Sequence, residues 1–114
     1  FIEADENKLR QVLINIFDNA KDALKNIESP QVMVSLDLRV DKVAIVIQDN
    51  GIGIPKEIIN RIFEPYVTSK DNGTGLGLAI VNKIIEEHNG TIKIKNLVKS
   101  GVKIIIMLPT KNLN

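Results

Sequence analysis

Two asparagines, Asn15 and Asn19, lie one helical turn apart in a stretch patterned as an amphipathic helix. Asparagine is a poor helix former. Its side-chain oxygen is an acceptable ligand for Mg²⁺, which keeps several waters and shares its other positions with phosphate oxygens. On a helical wheel both residues border the apolar stripe, with Lys8 and Asp22 beside them. The spacing therefore predicts a metal and phosphate contact at the edge of a buried face, although ordinary polar surface residues would give the same pattern.

A second candidate set follows an apolar run, where Asp49 precedes Gly51 and Gly53. An ionised carboxylate only accepts hydrogen bonds, and the exocyclic amine of adenine only donates them. Guanine carries a carbonyl at that ring position, so an aspartate would discriminate against it. Glycines would let a flat base approach the backbone without interference from Cβ. The pattern predicts adenine recognition, and a plain Asn-Gly turn after a strand is the alternative.

The third set is Gly73, Gly75 and Gly77, immediately before a predicted helix. Free amides at a helix start, together with the helix dipole, form an anion site. The glycines follow a polar loop, not a strand, so the dinucleotide-binding fingerprint does not apply, and no Gly-Lys-Ser/Thr follows as in a P-loop. Lys70 lies just upstream and could place a point charge on a terminal phosphate, or be an ordinary loop lysine.

The elements that must position these residues are visible from periodicity. Leu9, Val12, Leu13, Ile16 and Phe17 begin an apolar stripe at helical spacing. Alternation in the next segment predicts a strand with one wet face, and a continuous apolar run predicts a more central strand. The predicted elements are a helix from Asp5 (its N-cap) to about Ile27, strands Gln31–Val40 and Val43–Asp49, a short helix from Pro55 as its first residue to about Phe63, a loop Glu64–Thr74, a helix ending near Glu87 or His88, and strands Thr91–Leu97 and Val102–Leu108.

Two hairpins covered by helices predict an α+β fold, a two-layer sandwich with a mostly antiparallel sheet and helices on one face. The chain of 114 residues is long enough for one domain, predicted at 1–110 with a tail at 111–114. A net charge of +1 gives no electrostatic case for nucleic acid or a membrane surface. There is no cysteine for disulfides or thiolate metal sites, and no apolar run long enough to span a bilayer. The start without Met leads us to expect a piece of a longer protein.

The three sets, in this order, resemble the ATP-binding catalytic domain of sensor histidine kinases over nearly the whole chain. The resemblance rests on four motifs: Asp5-x-x-Lys8-Leu9-x-Gln11-Val12-Leu13-x-Asn15-Ile16-Phe17-x-Asn19-Ala20 resembles the N box, Asp49-x-Gly51-x-Gly53-Ile54-Pro55 the G1 box, Phe63-Glu64-Pro65-Tyr66 the F box, and Gly73-Thr74-Gly75-Leu76-Gly77-Leu78 the G2 box. The short stretch from Phe63 to Lys70 is similar to nitrogen-regulation sensors of the NtrY type.

The resemblance implies the Bergerat fold of the GHKL superfamily, with Asn19 on Mg²⁺, Asp49 on adenine and the glycine-rich backbone on the phosphates under a movable lid. It implies transfer of the γ-phosphate of Mg-ATP to a histidine on a separate dimerisation and phosphoacceptor domain, with a response regulator downstream. The catalytic residues expected are Asn15, Asn19 and Lys70. The nucleotide-binding residues expected are Asn19, Asp49, Gly51, Gly53, Ile54, Phe63, Lys70, Gly73, Thr74, Gly75, Leu76, Gly77 and Leu78.

One position separates activities within the superfamily. Gyrase-like, Hsp90-like and MutL-like ATPases place a water-activating glutamate where this chain has Asn15, and an amide offers no base. A histidine that accepts a phosphoryl group needs little help from a general base, since its ring nitrogen already carries a lone pair. Asn15 therefore favours a kinase, with an ATP-hydrolysing relative or a non-catalytic nucleotide-binding interaction module as alternatives. His88, the single histidine, is expected to be a helix-end cap and not the acceptor.

In the family pattern a basic residue often lies three positions after the metal asparagine, but this chain has Asp22 there, so a phosphate contact from that position is not expected. The resemblance also implies a cytoplasmic domain that makes no contact with nucleic acid or membrane. An inner-membrane sensor is one form its parent could take.

Overall fold

The structure is a computed structural model that describes residues 4–68 and 75–110. The predicted tail at 111–114 lies outside the described residues. The elements follow the predicted order: α1 (Glu6–Ala23), β1 (Val32–Leu38), β2 (Lys42–Asp49), α2 (Lys56–Ile59), α3 (Gly77–Glu87), β3 (Thr91–Asn96) and β4 (Val102–Pro109).

The four strands form one antiparallel sheet in the order β1-β2-β4-β3. The two hairpins, β1–β2 and β3–β4, are therefore joined by pairing between the inner strands β2 and β4. In the register, Val43 pairs with Leu108, Ile45 with Ile106 and Ile47 with Ile104, so these side chains share one face. α1 and α3 pack together over that face, which confirms the predicted α+β sandwich.

α1 begins where the sequence predicted. The Asp5 carboxylate accepts hydrogen bonds from the backbone N–H groups of Asn7 and Lys8, at 3.0 and 3.2 Å. These contacts satisfy donors that have no partner within the helix. The buried residues of the helix are Val12, Ile16 and Ala20.

Two expectations about α1 are wrong. The helix ends at Ala23 and not near Ile27, because the Ile27 amide donates to Leu24 O and the Ala23 carbonyl is used by Ile52 instead. Leu13 and Phe17, assigned to the buried stripe by spacing, remain 37% and 39% exposed. Each lies about 100° around the helix from the buried residue before it, which is enough to leave the packed face.

The expectation that β1 has one buried and one wet face is also wrong, because all its residues are exposed. Val34, Leu36 and Leu38 pair with Ile47, Ile45 and Val43 and so share the core face of the sheet. They are nevertheless 52%, 65% and 77% exposed. The helices within the described residues cover the central strands and not this edge strand.

α2 is shorter than expected. Pro55 is its N-cap and not its first helical residue, and the helix ends at Ile59. The predicted continuation towards Phe63 is a series of turns closed by short backbone contacts, such as Arg61 N–H to Ile58 O at 2.9 Å. None of the helices within residues 4–68 and 75–110 is long and apolar enough to cross a membrane.

Candidate functional site

Asp49 ends β2 with a half-buried side chain, at the head of the segment 49–54. Its Oδ1 accepts a hydrogen bond from the Gly51 backbone N–H at 2.9 Å, which closes a local turn. This contact fixes the carboxylate relative to the chain and leaves Oδ2 as its second acceptor. A held carboxylate of this kind suits recognition of a ligand that carries a donor.

The segment 49–54 is attached to the loop between α1 and β1 through Asn50. The Asn50 side chain donates to Ser29 O at 3.1 Å and accepts from the Gln31 N–H at 2.8 Å. The Asn50 backbone N–H also donates to Gln31 O at 3.3 Å. One side chain thus satisfies two backbone groups of a loop that no strand or helix holds.

The segment is attached a second time to the end of α1. The Ile52 N–H donates to Ala23 O at 3.2 Å. A Cβ added at Gly51 would lie 2.6 Å from Ala23 O and 2.9 Å from Ala23 Cβ. The glycine at position 51 is therefore explained by its packing on α1. The prediction that Gly51 also lets a base approach the backbone stays a prediction.

A third attachment comes from the end of β3. The Asn96 Oδ1 accepts from the Ile54 N–H at 2.8 Å, and the Asn96 Nδ2 donates to Ile54 O at 2.7 Å. In the loop after β3, Gly101 lies so close to the chain that a Cβ there would be 1.9 Å from Asp49 O. Segment 49–54 is consequently held from α1, from the α1–β1 loop and from the β3–β4 hairpin.

α1 connects this segment to the start of α3. The Asn15 Nδ2 donates to Gly77 O at 3.4 Å, and both residues are half-buried. Asn19 lies one turn further along α1 and is also half-buried. Ala23, which contacts Ile52, is one turn beyond that, so the two ends of this row are about 12 Å apart along the helix axis. Asn19 therefore lies between the start of α3 and the segment 49–54.

The start of α3 is suited to an anion. Among the described residues, no side chain caps the start of α3, which begins after Leu76. A Cβ added at Gly77 would meet nothing within 4 Å among the described residues. Leu76 and Leu78 flank it and are half-buried. Open space beside the backbone amides of a helix start is the arrangement that a phosphate needs.

Of the remaining predicted site residues, some lie within the described part of the chain and others lie outside it. Gly75 is close to Tyr66, whose N–H donates to Gly75 O at 2.9 Å, so the two ends of the predicted lid loop meet. Phe63 lines an open cavity of about 530 Å³ together with Lys93 and Lys95 of β3, and neither Asp49 nor Asn19 is among the described residues that line it. Lys70, Gly73 and Thr74 lie outside the described residues, and their predicted roles stay predictions.

His88 is at the other end of α1. Its Nε2 accepts from the Asp5 N–H at 3.0 Å, and its Nδ1 is 2.8 Å from Ile84 O. These partners require a neutral ring with the proton on Nδ1, because an amide donates and a carbonyl accepts. α1 has 18 residues, which puts this contact about 27 Å along the axis from Ala23. His88 therefore holds α1 to α3 far from the candidate site.

Another cavity, of about 500 Å³, lies at the His88 end between the α1 start and the end of β4. It is as large as the Phe63 cavity but is remote from the residues of the candidate site. No group of three or more histidine or acidic side chains that could hold a metal occurs within residues 4–68 and 75–110. The predicted role of Asn19 as a ligand of Mg²⁺ stays a prediction.

The chain belongs to the family of histidine kinase-, DNA gyrase B- and HSP90-like ATPases, whose model matches residues 4–112. It is 38% identical over 110 residues to an NtrY-like sensor histidine kinase of Rickettsia conorii, covering 96% of this chain and 18% of that protein. It is 41% identical over 111 residues to the sensor histidine kinase ZraS of Salmonella typhimurium, covering 95% of this chain and 23% of that protein. The chain thus spans about a fifth of these relatives.

Solved structures agree with this assignment. The catalytic domain of the histidine kinase ThkA superimposes with a TM-score of 0.81 at 38% identity, covering 95% of this chain and 71% of that one. The mycobacterial sensor histidine kinase MprB gives a TM-score of 0.85 at 28% identity, covering 98% of this chain and 78% of that one. Fold and family are therefore those of a histidine kinase catalytic domain, as the sequence motifs predicted.

Sequence reasoning missed three residues that shape the site, Ala23, Asn50 and Asn96. Ala23 contributes its backbone carbonyl and its close packing against Gly51. Neither contribution depends on the type of side chain, so the sequence gives no sign of it. Asn50 was interpreted as half of a turn. Asn96 had a usable signal, because asparagine is disfavoured in strands and here it ends β3 before a glycine-containing loop.

Proposed function

We propose that this domain binds Mg-ATP and donates the γ-phosphate to a histidine on a separate dimerisation and phosphoacceptor domain. A response regulator then receives the phosphoryl group from that histidine. The parent is proposed to be a sensor kinase in which this domain lies in the cytoplasm. The names of the relatives agree with such a role.

The observation that carries the proposal is the row of contacts along α1. Asn15 contacts Gly77 at the start of α3, and Ala23 contacts Ile52 beside Asp49. With Asn19 between them, one helix relates an anion site, a metal ligand and a donor-recognising carboxylate. A nucleoside triphosphate with its metal is a ligand that requires an anion site, a metal ligand and a base-recognising group together.

Each residue has a distinct part in the proposed reaction. Asp49 would accept a hydrogen bond from the adenine amine, Asn19 would hold Mg²⁺, and the amides at the start of α3 would bind phosphate oxygens. The bound metal would neutralise charge on the phosphates. The acceptor's ring nitrogen attacks the γ-phosphorus with its lone pair, an N–P bond forms, and the bond to the β-phosphate oxygen breaks so that ADP leaves with that electron pair. The rate of transfer therefore depends mainly on how the two reactants are positioned.

The acceptor must come from another domain. Both ring nitrogens of His88, the single histidine of the chain, make contacts within the domain, and His88 lies at the far end of α1. Asn15, where the hydrolases have a glutamate, supplies no base to activate water. We therefore expect the 114-residue chain to bind ATP without phosphorylating itself or releasing phosphate at a steady rate.

A titration with a non-hydrolysable ATP analogue, with and without Mg²⁺, tests the binding claim directly. Calorimetry should show saturable binding that weakens when the metal is chelated, because phosphate charges then repel one another. Binding of equal affinity in both conditions would contradict the metal role of Asn19. No binding at all would favour the non-catalytic interaction module.

The base-recognition claim is tested by Asp49→Asn. Replacing the carboxylate removes a charge-assisted hydrogen bond, which should weaken binding of the analogue by about 1–3 kcal/mol. Asp37→Asn is the matched control, since Asp37 is exposed on β1 and contacts Arg39. An Asp49→Asn affinity equal to that of the control would remove Asp49 from the site.

Transfer itself is tested by mixing the domain with the parent's phosphoacceptor domain and labelled ATP. Acid-labile label on a histidine of that second domain is the expected product. Steady release of inorganic phosphate, with no label on protein, would instead identify an ATP-hydrolysing member of the family.

A further inference from the structure

We propose that Asn96 is a positioning residue for base recognition, which acts by clamping the backbone of Ile54. This inference rests on the proposed ATP binding and adds a residue from a strand that carries none of the predicted site residues. Asn96 is 42 positions away from Ile54 in the chain. It does not contact Asp49 in the described structure, so its action on the carboxylate passes through the segment 49–54.

The geometry is that of a double hydrogen bond between an amide side chain and one residue of backbone. Asn96 Oδ1 is 2.8 Å from the Ile54 N, and Asn96 Nδ2 is 2.7 Å from Ile54 O. Only an amide side chain offers a donor and an acceptor in one plane. Both distances are at the short end for such bonds. The pair therefore fixes the position and the direction of the chain where it leaves the turn after Asp49.

Ile54 needs this partner because its backbone has no other hydrogen bond within residues 4–68 and 75–110. It lies after the end of β2 and before α2, so no ladder or helix satisfies its N–H and C=O groups. Exposed backbone groups can bond to water, but water does not hold a segment in place. Removing the Asn96 side chain would therefore free the end of segment 49–54 more than it would unfold the domain.

The clamp also sets the surface that a base would meet. A Cβ added at Gly53 would lie 3.0 Å from Asn96 Oδ1, so the side chain packs directly on the Gly53 backbone. In the same hairpin, the Leu97 N–H donates to Gly101 O at 2.9 Å, and Gly101 packs against Asp49. The β3–β4 hairpin thus contacts both ends of segment 49–54, and Asn96 supplies its side-chain hydrogen bonds.

A purely structural role for Asn96 predicts a different result from a role in positioning the base-recognition segment. If Asn96 only stabilised the fold, its loss would lower stability and weaken every nucleotide by the same factor. If it positions the base-recognition segment, its loss should weaken adenine nucleotides and leave contacts to the phosphates unchanged. The ratio of the affinities for ATP and GTP analogues separates the two cases.

The experiment measures the dissociation constants of non-hydrolysable ATP and GTP analogues, together with the thermal midpoint, in the 114-residue chain and its variants. For Asn96→Ala we expect the ATP analogue to bind about tenfold more weakly. We expect its preference over the GTP analogue to shrink by about the same factor. Asn82→Ala is the control, because the Asn82 side chain donates a hydrogen bond to Glu86 on its own helix, and the substitution should leave the ratio unchanged.

Asn96→Asp adds a sharper variant. It keeps an acceptor for the Ile54 N–H but sets a carboxylate oxygen against Ile54 O. Its loss of ATP preference should be at least as large as that of Asn96→Ala. If Asn96→Ala does not fold, Asn96→Ser carries the same test, since a hydroxyl still satisfies one of the two groups.

An unchanged ATP to GTP ratio in Asn96→Ala and Asn96→Asp would overturn the inference, whether the affinities stay the same or fall in parallel. Failure of the unaltered chain to bind the ATP analogue would instead overturn the proposed function. A chain that binds and prefers ATP while the variants keep that preference leaves the function intact and removes only Asn96.

Discussion

The two glycine-bearing segments of the site are built differently. In segment 49–54 the space beside the glycines is filled by the protein, with Ala23 against Gly51 and Asn96 against Gly53. At the start of α3 the space beside Gly77 is open within the described residues. The first segment is held in position before any ligand arrives, and the second leaves room for one.

This difference shows that glycines in similar motifs can be required for different reasons. Gly51 and Gly101 are required by neighbouring backbone, and their substitution should act on the fold. Gly77 has no neighbour among the described residues that requires it, so its substitution should act on the proposed ligand. Stability and binding measurements on matched glycine to alanine variants can therefore test the comparison site by site.

The largest effect is expected for Gly101→Ala. The new Cβ would lie 1.9 Å from Asp49 O, and the residue has a φ of +104°, which L side chains rarely adopt. The free energy of unfolding should fall by about 3–5 kcal/mol, measured by chemical denaturation. Lys99→Ala in the same exposed loop should change it by less than about 0.5 kcal/mol. A loss near that of the control would show that the hairpin does not clamp Asp49.

A smaller loss is expected for Gly75→Ala. Its φ is +74°, and a Cβ there would lie 2.4 Å from Tyr66 C. Tyr66 is exposed at 77%, so its backbone can move away at lower cost than the sheet can. We expect the free energy of unfolding to fall by about 1–3 kcal/mol, measured in the same denaturation series. A loss as large as that of Gly101→Ala would mean that both segments are equally rigid.

The smallest change in stability, and the most informative one, is expected for Gly77→Ala. Alanine is favoured over glycine in helices, so the free energy of unfolding should stay constant or rise by about 0.5 kcal/mol. Affinity for the ATP analogue should nevertheless fall several-fold, because the new methyl group occupies the space beside the amides. Thermal unfolding and calorimetry on one sample measure both quantities. Unchanged affinity would remove Gly77 from the phosphate site.

The order of elements could be predicted from the sequence because each carries its own period and its own end signals. Asp5 is a clear helix N-cap, and the alternating β1 and continuous β2 patterns are distinct. The site motifs also follow from local spacing, since Asn15 and Asn19 need only one helix. These features depend on residues that are close in the chain.

The features that sequence reasoning missed depend on distant contacts. α1 ends at Ala23 because its carbonyl meets Ile52, and the exposure of Leu36 depends on how far the helices reach across the sheet. The Asn96 clamp joins the end of β3 to segment 49–54, and these two segments share no sequence pattern. Propensity and periodicity indicate how one segment alone divides between the core and solvent. The end of α1, the exposure of Leu36 and the Asn96 contact are instead determined by a second, distant segment.

The pairing of β2 with β4, described above as the join between two hairpins, has a kinetic consequence. Each hairpin closes over a short stretch of chain, but β2 and β4 are separated by the whole stretch between Asp49 and Val102. Closing that distance is the slow, entropically costly event expected in folding. Segment 49–54 contacts Ala23 before it in the chain and the β3–β4 hairpin more than 40 positions after it, so it cannot take its final shape before that hairpin docks. The proposed ability to bind a base should consequently appear together with the last stage of folding, and a nucleotide bound as proposed should slow unfolding of the whole sheet.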